Sequence, residues 1–170
     1  MNRAWLARRF LVQRPALENT NHAKRRFVMM GFSYQRGVGE MLENMGHRAE
    51  SIMKHVYRNH KGEENLWERF SRYDQTHPNR AEVGLMHFAP NSTKDYEWGR
   101  DQKVPSRAHT WRNFPNLAGE AKTLNREDWG GGDTRAHHKW WFEHLPQTSG
   151  RTDGVSNNWW EYIIDPDKVK

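Results

Sequence analysis

Glu43, His47 and Glu50 stand four and three residues apart in a stretch with helical periodicity. At about 100° per residue they share one face with Glu40 and Lys54, almost opposite the apolar stripe. That spacing lets a carboxylate, an imidazole and a second carboxylate converge on a divalent cation, as the inward carboxylates and Glu-x-x-His pairs of di-metal bundles do. Glu43, His47 and Glu50 are therefore the candidate metal ligands. The competing reading is a solvated face laced with ion pairs, which loses ground if later segments cover it, because buried acids need counter-charge. Set against the zinc-protease signature His-Glu-x-x-His, with its second His on His47, the first ligand position holds Glu43 and the general-base position holds Asn44. Asn cannot take a proton at neutral pH, so that mechanism lacks its base.

Two further clusters carry polar chemistry. His137, His138 and His144 flank Trp140, Trp141 and Phe142. No pair of them has the three- or four-residue spacing a zinc site wants, so the segment reads as an aromatic packing helix whose histidines hydrogen-bond locally, with His137 and His144 on the Trp141 face and His138 facing elsewhere. Near the C-terminus, Asp153, Asn157, Asn158, Trp159 and Trp160 are the materials of a sugar site, in which indole rings stack on pyranose faces and amides bind hydroxyls. They are equally the materials of a capped turn feeding a core Trp pair. The absence of cysteine excludes disulfides, thiolate-held metals and a thiol nucleophile, and no Gly-x-Gly-x-x-Gly, P-loop or Gly-x-Ser-x-Gly supports nucleotide or serine-hydrolase chemistry.

The elements that must position these groups are unevenly legible. Val38, Leu42, Met45, Ala49, Ile52 and Val56 predict one long amphipathic helix over residues 38–57, with Gly46 as its interior weak point. Shorter helices are predicted at 63–73 and 134–145, a strand at 26–34, a loop at 150–154, and a short aromatic strand or helix at 158–164. Residues 74–135 hold four prolines and no sustained period; His87-Phe88-Ala89-Pro90-Asn91 forms a turn there, and Tyr96, Trp98, Trp111, Phe114 and Trp129 favour order through aromatic packing. The fold class expected is α+β, mostly α with extensive irregular structure, the long helix clasped by Trp-rich segments.

Of 170 residues only 20 are Ile, Leu or Val, yet nine Trp, five Tyr and seven Met supply apolar bulk, so the core must be aromatic. The net charge of +6 resides in the first thirty residues, where Arg3, Arg8, Arg9, Arg14, Lys24, Arg25 and Arg26 face Glu18 alone. The remainder is formally neutral, which argues against nucleic-acid binding by the body. Residues 1–27 are thus read as a basic arm and 28–170 as a single Trp-rich domain. The arm has the composition of an organellar, mitochondrial-type transit peptide; a partner-binding arm and a gene-boundary remnant are the other readings.

The runs GFSYQRGVGEMLENMGHRAESIM at 31–53, MHFAPNSTKDYEWG at 86–99 and HHKWWFEHLPQTSGRTDGVSNNWWEYIIDPD at 137–167 resemble blocks of a Trp-rich conserved domain of uncharacterised, mainly bacterial proteins. The resemblance spans roughly residues 28–167. It implies a domain found at the C-terminal end of longer chains and no secure activity, with 28–34 as a strand that paired with an upstream part. Two functions are expected. One is a glycan-associating or hydrolase-like domain with a His/carboxylate site for a divalent metal. The other is a non-catalytic basic accessory subunit of a larger assembly, holding a protein partner through the arm.

Overall fold

The computed structural model describes residues 24–170 apart from Met29 and Gly99, so Arg3, Arg8, Arg9 and Arg14 lie outside the described residues. Among the described residues there are four α-helices: α1 (Gly37–Val56), α2 (Leu66–Thr76), α3 (Thr134–Glu143) and α4 (Trp160–Ile164). Two small antiparallel sheets accompany them, β1 (Val104–Ser106) with β2 (Lys122–Leu124) and β3 (Gln147–Thr152) with β4 (Val155–Asn158). The architecture is α+β with one long helix and much irregular chain.

Helix α1 follows its apolar spacing. Gly46, Ala49, Ile52 and Met53 are buried along it, and α3 and α4 pack against it. Helices α2 and α3 begin as their sequences dictate, with the side chains of Asn65 and Asp133 accepting from the backbone N–H groups of Glu68 and Ala136.

The core is aromatic. Trp159 is fully buried, its ring centroid 5.3–6.0 Å from those of Tyr57, Trp67, Phe70, Trp111 and Phe114. A buried Trp removes about 150–250 Å² from water, a gross gain on the order of 4–6 kcal/mol per ring before entropy is charged. Such rings let irregular chain hold its place. Trp98, Trp111, Phe114 and Trp129 are all buried, which orders the proline-broken stretch at 74–135.

One buried charge ties this stretch together. The Glu82 carboxylate, hidden from solvent, meets Arg69 at 3.3 Å and Arg107 at 3.2 Å, and accepts from Trp111 Nε1 at 3.1 Å. Its charge is paired and its oxygens are bonded, which is what burial demands.

Two local expectations are corrected. The strand predicted at 26–34 is irregular chain running into a 3-10 turn at Tyr34–Arg36. No strand among the described residues offers it a ladder, and the N–H of Arg26 bonds instead to the Asp167 carboxylate. The loop predicted at 150–154 is the tip of the β3–β4 hairpin, where Asp153 and Gly154 both take positive φ, 48° and 81°, as a tight hairpin turn requires. No helix among the described residues is long and apolar enough to cross a membrane.

Candidate metal centre

The polar face of α1 is covered. Residues 83–98 fold back across it, and the approach depends on Gly46, where an added Cβ would overlap the side chain of buried Met86. The bare helix surface lets Met86 lie against α1, and the next residue, His87, then faces His47. The Glu50 carboxylate fixes the crossing, accepting from the Met86 N–H at 2.7 Å with one oxygen and bonding His47 Nδ1 at 2.8 Å with the other.

Three ligand atoms converge as a result. His47 Nε2 lies 2.9 Å from His87 Nε2, His87 Nε2 lies 3.2 Å from Glu43 Oε1, and His47 Nε2 lies 4.0 Å from the same oxygen. A tetrahedral ion held by bonds of about 2.0–2.1 Å spaces its ligands about 3.3–3.4 Å apart. The observed separations straddle that value, so Glu43, His47 and His87 have the chemistry and the spacing to hold a divalent cation.

The second contacts fix the tautomers. His47 Nδ1 bonds Glu50, and His87 Nδ1 bonds Asp95 at 2.9 Å. A carboxylate accepts, so each Nδ1 donates and each neutral ring presents a lone pair at Nε2. Two such lone pairs 2.9 Å apart repel unless a cation lies between them, either a proton or a metal ion.

In the metal-free site the charged forms of both the His47 and the Glu43 side chains are favoured. Burial opposes the charged form of His47, but the bond to and charge of Glu50, with the charges of Glu43 and Asp95, raise its pKa above the ordinary histidine value. Burial also opposes charge on Glu43, yet the bond and charge of His87, the Tyr96 hydroxyl and the influence of His138 together hold its carboxyl below the usual range.

A third layer comes from the loop after His87 and from α3. Tyr96 donates to Glu43 Oε1 at 3.1 Å and lies over the His87 ring, centroids 4.0 Å apart. His138, on α3, adds its influence to Glu43. It is fully buried, and the carbonyls of Met86 and Gly39 face its ring without reaching hydrogen-bond geometry. Trp98 contacts both His138 and stacked His137, at 5.5 and 5.3 Å.

Of the ligands read from sequence, Glu43 and His47 sit at the centre, while Glu50 orients His47 and anchors Met86. His87, Asp95 and Tyr96 were missed as site residues, because their shared position depends on how an aperiodic loop folds over a helix. Asn44 is engaged with Glu40, donating to its carbonyl at 2.9 Å and to its Oε1 at 3.2 Å. In the aromatic helix, His144 does bond locally, Nδ1 to the Trp140 carbonyl at 2.7 Å.

The C-terminal polar cluster is placed elsewhere. Trp159 is in the core, Asn157 bonds Thr152 Oγ1 at 2.8 Å and the Ser149 carbonyl at 3.3 Å, and Asn158 Oδ1 accepts from the Trp160 N–H at 3.2 Å. Asp153 is at the exposed hairpin tip, and Trp160, half-buried, stacks on Phe142 at 5.5 Å. In the basic arm, Lys24 is exposed, Arg25 pairs with Asp165 and Asp167 at 3.0 and 3.3 Å, and Arg26 with Asp167 at 3.4 Å. Comparison with family models, curated proteins and solved structures returns no match for this chain.

Proposed function

We propose that this chain is a divalent-metal-binding domain of the hydrolase-like kind, with Glu43, His47 and His87 as ligands. The observation that carries the reading is the pair of Nε2 atoms 2.9 Å apart, each backed by a carboxylate on its Nδ1, beside a Glu43 oxygen. Two imidazoles and one carboxylate form the ligand set of many catalytic zinc sites, which keep one position for water or substrate. The side chains of His47 and Glu43 retain 23% and 13% of their exposure, so water reaches the ion's position. A bound divalent ion would supply an activated water there. The base of the zinc-protease mechanism has no counterpart at Asn44, so that position would take no proton in this reading.

The glycan-associating version has thinner support, since Trp159 is buried and the neighbouring amides are bonded to Thr152 and to the Trp160 N–H. The accessory-subunit reading rests largely on residues 1–23.

The test is a metal titration of the purified full chain after chelation. Uptake of about one Zn²⁺ per chain is expected, with melting raised by about 10 °C when free ion exceeds the dissociation constant a thousandfold. The double variant His47→Ala, His87→Ala should lose both effects. If Zn²⁺, Mn²⁺ and Fe²⁺ all leave melting unchanged and none is retained, the proposal fails.

A further inference from the structure

Resting on that metal reading, we infer that Tyr96 is the hydrogen-bond donor to whatever oxygen ligand takes the ion's open position, so that the site accepts a group offering two oxygens, one to the metal and one to the phenol. A carboxylate or a hydroxamate is such a group.

The placement of Tyr96 argues for more than filling space. Its backbone φ is +59°, a left-handed conformation that non-glycine residues seldom adopt. Side chains in such conformations persist where the surroundings over-determine them, and here they do. The Tyr96 N–H bonds the His87 carbonyl at 3.0 Å. Its ring is clamped between His87 and the edge of Trp98, centroids 4.0 and 5.1 Å away. The loop itself is braced by Glu97, whose Oε2 accepts from the N–H groups of Thr93 and Lys94 at 2.9 and 3.1 Å, and by Asp74, which accepts from Asn91 N at 3.0 Å. One short loop thus delivers both Asp95, which orients a metal ligand, and Tyr96, whose hydroxyl stands 3.1 Å from another ligand's oxygen. Rigid support of this kind is what positions a functional group to within a fraction of an ångström.

The hydroxyl has a reason to change partner when the ion binds. Without metal, Glu43 Oε1 accepts from Tyr96 and also faces His87 Nε2. With metal, that oxygen gives density to the cation and becomes a poorer acceptor. The phenol O–H can turn about its C–O bond while the ring stays clamped, toward an anionic oxygen arriving from solvent. Tyr96 is about half exposed, so its flank is open to that approach. His138, fully buried, has no such access.

The experiment uses the full chain loaded with Zn²⁺ and acetohydroxamate as the probe, followed by calorimetry in wild type and Tyr96→Phe. With each protein first saturated with Zn²⁺ at its own measured affinity, the expected result is acetohydroxamate affinity lowered about tenfold in Tyr96→Phe, the loss of one hydrogen bond to a charged oxygen. Tyr34→Phe, a change at a ring that is 90% exposed, should alter neither. Equal acetohydroxamate affinity in Tyr96→Phe overturns the inference, as does a loss confined to Zn²⁺ affinity, which would make Tyr96 only a prop for Glu43. A Zn²⁺-loaded wild type that takes no acetohydroxamate also overturns it, leaving the metal reading intact. A wild type that takes no Zn²⁺ removes both.

Discussion

At His47 a single proton decides between two states of the site. Its Nδ1 is held by Glu50 at 2.8 Å, which leaves Nε2 to accept a cation. Glu50→Gln probes that arrangement with almost no change of shape. A glutamine whose oxygen keeps the Met86 N–H must turn its NH₂ toward His47 Nδ1, favouring the tautomer that carries the proton on Nε2, where the metal should bind. Zn²⁺ affinity should fall about 10–100-fold, in the range seen when such outer partners are removed, while the melting temperature of the metal-free protein shifts little. Competition against a chromophoric chelator measures this. Unchanged affinity would mean that Glu50 serves only as an anchor for Met86. The i,i+3 and i,i+4 spacing made Glu43, His47 and Glu50 legible from sequence, because a helix is periodic. Nothing periodic links His87 or Tyr96 to them, across separations of 40 and 53 residues.

Among the elements, α1 shows how one residue without a side chain sets a long-range contact. Gly46 weakens a helix by about 1 kcal/mol relative to Ala, and its return is the close approach of Met86. Gly46→Ala should destabilise the protein by up to roughly 2 kcal/mol net, since overpacking costs about 1–3 kcal/mol against a gain in propensity of about 1 kcal/mol. Because Met86 carries His87 with it, Zn²⁺ binding should weaken in the same variant. Denaturant unfolding and metal titration check the two effects separately. A more stable variant with full affinity would show that the approach can relax elsewhere. The sequence marked Gly46 as an anomaly and could not say what fills it. The β3–β4 hairpin was legible in principle, since Asp153-Gly154 is a strong turn signal. Its strands carry no matching signal, because β3, Gln147–Thr152, is polar throughout and shows no alternation.

For the molecule as a whole, an aromatic core brings buried histidines with it, and these make stability depend on pH. Burial is the main force pushing His137 and His144 down to about 4. Both are neutral in the folded protein near pH 5, whereas in the unfolded chain they titrate near 6.5. Between those values the unfolded state binds more protons, so stability rises with pH across that window and is lost as pH falls from about 6.5 toward 4. The scale is on the order of 3 kcal/mol per histidine. His47 acts in the opposite sense in the metal-free protein. Its raised pKa contributes stability at low pH that is lost as pH rises through the folded value. Urea midpoints of the chelated protein should therefore fall between pH 6.5 and 4.5, and a flat or rising profile would contradict the neutral burial of these rings. What the sequence determined by itself is local. It set the long amphipathic helix and its polar face, the lack of thiol chemistry and the necessity of a core built from indole rings. These follow from periodicity and from composition. The tertiary structure alone decided that residues 83–98 cover the polar face, that His87 replaces Glu50 among the converging ligand atoms, and that Trp159 joins the core. Those outcomes depend on contacts between segments with no common period, formed where large rings and one bare glycine allow irregular chain to approach a helix.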